Sequence, residues 1–377
     1  METLRHIKVL ENVPVLVRTS LNVPTEDGKV RNAFRLKEAL PTIHFLQKHH
    51  ARVILLSHIT GKGTETLHPM YEALKPHVKN LSFSPEIVGK SVREKVRNML
   101  PGEVILLENL RRDPREKQND SEFAKELAHL GDVFVQDCFD VCHREHASVV
   151  GIPEYLPSYA GFLVEKEVQQ LKKVLKPKRP ALAIISGTKF STKEPLITEL
   201  LRTYDYVYVG GALGNDFLKA KGVKVGASLV SSEGTGGIEK LLSHKKLLIP
   251  TDALVAPPHE TIQKARVSDL SDIEPYEAVL DAGPKTAHML AALSQKMKTV
   301  LWNGPLGLYE QGFVSGTHTV AEGIAASKAH SVVGGGDTVG ALEELGIQND
   351  FSFISTGGGA MLDYLADGTL PGLTVLE

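Results

Sequence analysis

Val53-Ile-Leu-Leu-Ser57 and Val104-Ile-Leu-Leu-Glu108 are short apolar runs with no polar residue alternating through them. A strand with one face in water alternates polar and apolar side chains. An unbroken apolar run of this length therefore suits a strand buried on both faces. Val13–Val17 and Val133–Gln136 read the same way. Helical patterns lie among these runs, at Phe34–Lys48 (FRLKEALPTIHFLQK) and Asp120–Leu130. Strand–helix alternation of this kind implies a parallel sheet with helices on both sides. The second half repeats the logic. Leu182–Ser186, Tyr206–Gly210, Leu247–Pro250, Thr299–Asn303 and Ser331–Gly334 read as strands, each closing on Gly, Ser, Pro or Asn. Between the halves, Val164–Lys178 (VEKEVQQLKKVLKPK) is charged and helical in pattern, with Pro177 and Pro180 at its end, and reads as a connecting helix. The expected fold class is α/β: two doubly wound parallel-sheet lobes of Rossmann-like type joined by a helix. The length of 377 residues, too great for one comfortable core, agrees.

Composition narrows the function classes. Hydrophobic residues are 42% and charged residues 23%, an ordinary globular balance. A formal net charge of -2 gives no reason to expect a nucleic-acid partner. No apolar run reaches the roughly 18–20 residues of a membrane span, and METLRHIKVLENVPVLV lacks the pattern of an export signal. Two cysteines make no disulfide framework. The expectation is a cytoplasmic protein with no nucleic-acid or membrane partner.

In open α/β sheets, ligands bind at loops on the carboxyl ends of the strands. Ser331-Val-Val-Gly-Gly-Gly-Asp-Thr338 places Gly334, Gly335 and Gly336 after a strand and before a helical pattern. Phe351–Ala360 does the same with Gly357, Gly358 and Gly359. Each arrangement offers backbone N–H groups and a helix dipole to an anion, and the missing side chains let a phosphate approach. Asp337 is a candidate Mg2+ ligand, and Thr338 reads as a helix cap that also touches phosphate. Gly334, Gly336 and Gly340 mimic a dinucleotide fingerprint, but only 37 residues follow Gly340 and the next strand ends without an acidic residue. Asn303 ends a buried strand and Glu310 follows at a spacing suited to a ribose, while Trp302 reads as core. Lys189 and Lys193 are four apart after another strand, and on one helical face they would point together, as suits a phosphoryl group, although the spacing by itself fits a solvated surface pair better.

Taken in order, SGTKFSTK, YVGGALGNDFL, LDAGPKT, TVLWNGPLGLYE, GGGDT and ISTGGGA resemble the nucleotide half of phosphoglycerate kinases. VLVRTSLNVPTEDGKV, RLKEALPTI, VILLSHITGKG, LLENLRR, FAKELAHLGDVFVQDCFDVCHREHAS and AGFLVEKEV resemble the acid-binding half. The resemblance implies a two-lobed, hinge-bending, monomeric enzyme. It would interconvert 1,3-bisphosphoglycerate plus ADP with 3-phosphoglycerate plus ATP, using Mg2+. It also implies an acid-binding lobe over 1–163, the connecting helix at 164–178, a nucleotide lobe over 179–361, and a segment, 362–377, returning to the first lobe. Arg35 and Lys189 would neutralise the transferring phosphate, with loop amides at Gly336 and Gly358. Lys193, Asn303, Glu310, Gly335, Gly336 and Thr338 would hold the nucleotide, and Asp337 the metal. Asn22, His58, Arg111 and Arg144 would join Arg35 around the acid.

The acid side departs from the family pattern. Ser20 stands where the family has an Asp that orients the glycerate hydroxyl. His58-Ile59-Thr60-Gly61 replaces His-Leu-Gly-Arg, so Gly61 removes a phosphate-binding arginine. Lys62 and Arg112 are neighbouring cations that could supply the charge, and Thr192 stands where many members have Asp. These departures leave open an alternative: a paralogue that binds nucleotide but takes a different acid or acts as a weakly catalytic regulator. Cys138, Cys142, His143 and His146 form a C-x3-C-H-x2-H cluster. That is not a usual zinc spacing, and the cysteines read as small packing groups.

Overall fold

The apolar runs become the central strands of two parallel sheets, one in each of two compact units. The computed structural model describes residues 1–377 except 27, 32, 62–63 and 233–235. The first unit comprises Met1–Gln169 and Thr369–Glu377. Its strands are β1 (Pro14–Thr19), β4 (Arg52–Leu56), β5 (Leu81–Phe83), β6 (Val104–Leu106), β7 (Val133–Asp137) and β8 (Ser158–Ala160), with a small hairpin of β2 (Thr25–Glu26) and β3 (Lys29–Val30). The sheet order is β5-β6-β4-β1-β7-β8, parallel throughout. Its helices are α1 (Phe34–Lys48), α2 (His68–Leu74), α3 (Lys90–Arg97) and α4 (Ser121–Ala128).

Both faces of this sheet are buried, which explains the absence of polar alternation. Val15, Val17, Val53, Leu55, Val104 and Leu106 pack with Leu36, Ile43 and Leu46 of α1. Their strand neighbours Leu16, Ile54, Leu56 and Ile105 pack with Phe123 and Leu127 of α4 on the other face. The chain builds outward from β1 through β4, then crosses to β7 on the other side. The topological switch point, where a ligand crevice forms, therefore lies beyond the carboxyl ends of β1 and β7.

Helix α5 spans Phe162–Leu175, against the expected Val164–Lys178. Asp137 accepts from the Leu163 amide at 2.9 Å, which anchors the first turn two residues earlier. Pro177 disfavours helical backbone in the residue before it, so the helix stops short of Lys178. The unit boundary falls within α5, after Gln169.

The second unit, Gln170–Gly368, contains β9 (Ala181–Ser186), α6 (Glu194–Thr203), β10 (Tyr206–Gly210), α7 (Gly211–Ala220), α8 (Ile238–Leu242) and β11 (Leu247–Leu248). There follow β12 (Asp252–Ala256), β13 (Arg266–Asp269), β14 (Ala278–Ala282), α9 (Pro284–Ser294), β15 (Thr299–Asn303) and α10 (Ser315–Ala325). The unit ends with β16 (His330–Gly334), α11 (Gly336–Leu345), β17 (Phe353–Ile354) and α12 (Gly359–Asp367). Its parallel sheet runs β11-β10-β9-β15-β16-β17, and β13-β12-β14 form a separate antiparallel sheet. The switch point here lies between β9 and β15. Leu182, Ile184, Val300, Trp302 and Val333 form a core with Leu290, Val320 and Leu342. Trp302 is fully buried and donates to the Gly304 carbonyl at 2.9 Å, a core residue as expected.

After Gly368 the chain belongs to the first unit. Its short helix α13 (Pro371–Thr374) follows Leu370. The Gly372 amide donates to the Cys142 carbonyl at 2.8 Å, and the Glu2 amide to the Leu376 carbonyl at 3.3 Å. Among the described residues, no helix is long and apolar enough to cross a membrane.

Candidate active site

At the switch point of the first unit, cations outnumber what their carboxylates neutralise. Arg18 leaves the apolar strand β1 fully buried. It donates to Ser148 Oγ at 2.9 Å, to the Thr19 carbonyl at 3.1 Å and to His58 Nδ1 at 2.9 Å. A guanidinium only donates, so Nδ1 accepts and the proton of the neutral imidazole sits on Nε2. Burial, then the Arg18 charge, holds His58 well below the usual histidine range. Glu116, also buried, accepts from the Ser148 amide at 3.0 Å and from its hydroxyl at 2.6 Å. His146 approaches Glu116 at 3.8 Å. Burial and the guanidinia of Arg111, Arg18 and Arg144 push His146 down to about 4. Arg111 is itself lowered, by burial and by Arg18 and Arg144. Groups that disfavour one another's charge in this way form a site an anion would relieve.

Arg35, near the start of α1, donates to the Asn22 carbonyl at 2.8 Å and lies 3.5 Å from Asp140. Asn22 clamps Thr60 through two bonds, at 3.1 and 3.0 Å, and Arg111 donates to Thr60 Oγ1 at 3.2 Å. Arg144 is exposed. Gly61 leaves no open space: a Cβ there would run into the carboxylate of Glu65. Arg112 does not supply the missing charge, because it is drawn to the nearly buried carboxylate of Glu108 at 2.9 Å. Lys62 lies outside the described residues. Cys138 and Cys142 are buried free thiols. Cys138 donates to Asp140 Oδ1 at 3.0 Å and Cys142 to the Cys138 carbonyl.

In the second unit, β9 delivers Ser186 and β15 delivers Asn303 to the switch point, in register through Asn303 and Ile185. Ser186 Oγ, Asn303 Nδ2 and Thr338 Oγ1 are buried and find no hydrogen-bond partner among the described residues. An orphaned buried polar atom costs about 1–3 kcal/mol, so three together mark a site built for a ligand. Gly335 has φ 99°, which favours glycine. A Cβ on it would lie 3.3 Å from Thr338 Oγ1, 3.4 Å from the Gly304 nitrogen and 3.7 Å from Asn303 Nδ2. These donors thus converge on space that only a missing side chain leaves open. Gly335 is also the N-cap of α11, and Gly358 that of α12, so both glycine triplets end at helix N-termini.

Beside this cradle is a cavity of about 330 Å3 lined by Thr188, Asn215, Leu306, Leu308, Glu310 and Asp337, among others. That is within the usual range for small ligands. Two expectations are corrected. Thr338 is not the cap, because glycine takes that position and Thr338 becomes the third helical residue with its hydroxyl turned inward. Lys189 and Lys193 do not share a helical face, because α6 begins only at Glu194, followed by Pro195. Lys189 is exposed in the preceding turn, where its carbonyl accepts from Thr192 Oγ1 at 3.1 Å. Lys193 folds its stem against Gly187, and burial lowers its ammonium pKa.

Sequence reasoning did not single out Arg18, Ser186 or Asp140. Arg18 had a signal, a lone charge inside an apolar strand. Ser186 had a weaker one, its position at a strand's carboxyl end. Two parallel sheets, each with an anion cradle at its switch point, define an α/β phosphotransferase. A family model described as phosphoglycerate kinase matches residues 4–368. The chain is 43% identical over 381 residues to the phosphoglycerate kinase of Pseudothermotoga lettingae, covering 97% of this chain and 96% of the relative. With the Thermus thermophilus enzyme it shares 43% over 376 residues, 96% of each. The solved phosphoglycerate kinase from Coxiella burnetii aligns with a TM-score of 0.84 at 34% identity, over 99% of this chain and 98% of that one. That from Pyrococcus horikoshii OT3 aligns at 0.88 and 30%, over 100% and 98%. The chain belongs to the phosphoglycerate kinase family and is a glycolytic kinase. These relationships support that activity over the regulatory-paralogue alternative.

Proposed function

We propose that the first unit binds 3-phosphoglycerate, the second binds Mg-ATP, and the γ-phosphoryl group passes reversibly between them. In the direction that consumes ATP, a carboxylate oxygen of the acid attacks the γ-phosphorus. The new bond is acyl phosphate, and the broken P–O bond leaves with ADP. No covalent enzyme intermediate is needed, so the protein's work is positioning and charge stabilisation. Arg35 and Lys189 neutralise the transferring group, and amides at Gly336 and Gly358 supply further donors. Lys193, Asn303, Gly335 and Thr338 hold the nucleotide phosphates. Glu310, on the cavity wall, accepts from the ribose. His58, Arg111 and Arg144, with Ser20, Asn22 and Gly61, receive the phosphorylated acid.

Among the described residues no three His, Cys, Asp or Glu side chains gather as a metal cage. One exposed carboxylate beside a phosphate site still fits Mg2+, which is commonly held by one or two carboxylates plus substrate phosphates. Asp337 would hold it, and the ion would shield charge on the phosphates. Family membership and the two buried free thiols support a cytoplasmic setting, and family resemblance alone supports a monomer.

The observation that carries this reading is the convergence of Asn303 Nδ2, Thr338 Oγ1 and the Gly304 amide at Gly335. A coupled assay with ATP and 3-phosphoglycerate tests it. Turnover in the range of about 1–100 per second is expected. Turnover below about 0.01 per second, far under that range, would sink the proposal.

A further inference from the structure

Ser20 leaves the acid site without the carboxylate expected at that position, yet a carboxylate is there. β1 and β7 are adjacent and parallel, with Thr19 level with Asp137. The segments that follow them therefore emerge side by side. Asp140, three residues past β7, reaches the end of β1 and lies beside the buried Ser20 hydroxyl. That hydroxyl lies close enough to favour the charged carboxylate and has no other partner among the described residues. The Asp140 side chain is 7% exposed. Its Oδ1 accepts from the Cys138 thiol at 3.0 Å, and its Oδ2 lies 3.5 Å from Arg35. Each carboxylate oxygen can accept twice, so these contacts leave acceptor capacity facing Ser20 and Arg35. Burial would raise its pKa, but the Arg35 guanidinium holds it below the usual carboxylate range.

We infer that Asp140 orients the acid substrate's hydroxyl: the carboxylate is supplied from the segment after β7 in place of the one after β1, and Ser20 makes room for it. This inference rests on the proposed acid site in the first unit. It explains how Ser20 is compatible with a hydroxy-acid substrate. A second carboxylate at position 20 would face Asp140 directly, and like charges at that range oppose each other.

The test compares 3-phosphoglycerate with the phosphate ester of 3-hydroxypropionate, which lacks only the 2-hydroxyl. Dissociation constants and KM are measured for wild type, Asp140→Asn, Ser20→Asp and the double variant, with KM for ATP alongside. Wild type should prefer the hydroxy acid by about 10- to 100-fold, the range for a hydrogen bond to a charged group. Asp140→Asn should lose most of that preference with KM for ATP unchanged. Ser20→Asp alone should weaken 3-phosphoglycerate binding, and in the Asp140→Asn background it should restore the preference. That reversal of sign is a coupling a merely structural role would not produce. Should Asp140→Asn not fold, the wild-type preference and the Ser20→Asp result decide. No preference in wild type, or tighter binding by Ser20→Asp alone, overturns the inference, as does a preference undiminished in Asp140→Asn. Wild type that turns over no 3-phosphoglycerate overturns the proposed acid substrate itself, and the inference with it.

Discussion

At the scale of single residues, the acid site is a balance of arginines against a few carboxylates. Arg35 is the cation shared between Asn22 and Asp140. With Arg35→Ala, turnover should fall at least a hundredfold, because a charge on the transferring group is lost. ATP affinity, measured by calorimetry, should stay within about twofold, since the lost charge acts on the transition state rather than on bound nucleotide. Loss of ATP affinity would mean that Arg35 serves the nucleotide instead. Gly61→Arg is less simple than restoring a missing arginine. The new side chain would meet Glu65, whose flexible end can shift but whose charge would capture the guanidinium. Tightening of 3-phosphoglycerate binding should therefore be under about threefold for Gly61→Arg and approach tenfold with Glu65→Gln added. That upper figure is what a charge-assisted bond of about 1.5 kcal/mol gives. Equal effects in both variants would show that Glu65 does not compete.

At the scale of elements, the strands were legible where burial on both faces removes polar alternation, as in β1, β4, β9 and β15. The short strands β5 and β8 have three residues each, too few to carry a period, whereas β11 and β17 were legible only because a strand-ending Pro or a glycine triplet follows them. The antiparallel β12–β14 sheet was not legible in the sequence, because its apolar runs, Ala253–Ala256 and Ala278–Leu280, are short and have no helical pattern between them. Site residues were legible where a motif is local, as in the two glycine triplets. Arg18, Glu116 and Asp140 were not, because they meet only after the sheet brings β1 beside β7. Helix α5 carries its own prediction. Asp137 anchors its first turn while its Oδ2 has no hydrogen-bond partner among the described residues, and burial pushes its carboxyl up to about 7. A raised pKa means the folded state holds the proton more tightly than the unfolded state. The stabilisation is complete below the unfolded value near 4 and is lost as pH rises through about 7. The loss is on the order of 4 kcal/mol. Asp137→Asn keeps an acceptor for Leu163 but cannot ionise. Urea unfolding at pH 5 and pH 8 should show the variant gaining on wild type at the higher pH. Parallel pH profiles would contradict the raised pKa.

At the scale of the whole molecule, the first unit is made from both ends of the chain. Leu370, Leu373 and Leu376 are all buried, although the residues immediately before Thr369 belong to the second unit. The bond from Gly372 to the Cys142 carbonyl ties this segment to the stretch that carries His143 and Arg144. Removing residues 369–377 therefore strips apolar burial from one unit and none from the core around Trp302. Three buried leucines contribute about 1.5–3 kcal/mol each, enough to consume much of a domain's marginal stability. Trp302 is the only tryptophan in the sequence, so its fluorescence reports on the second unit alone. In the truncated chain, the far-UV unfolding transition should gain an early phase at low denaturant, while the fluorescence midpoint stays within error of the full chain. Binding should divide the same way, with 3-phosphoglycerate affinity falling at least tenfold and ATP affinity preserved. If the fluorescence midpoint moves together with the far-UV transition, the two cores unfold as one cooperative system. Unit-by-unit reasoning about stability would then fail for this protein, even though each unit has its own sheet.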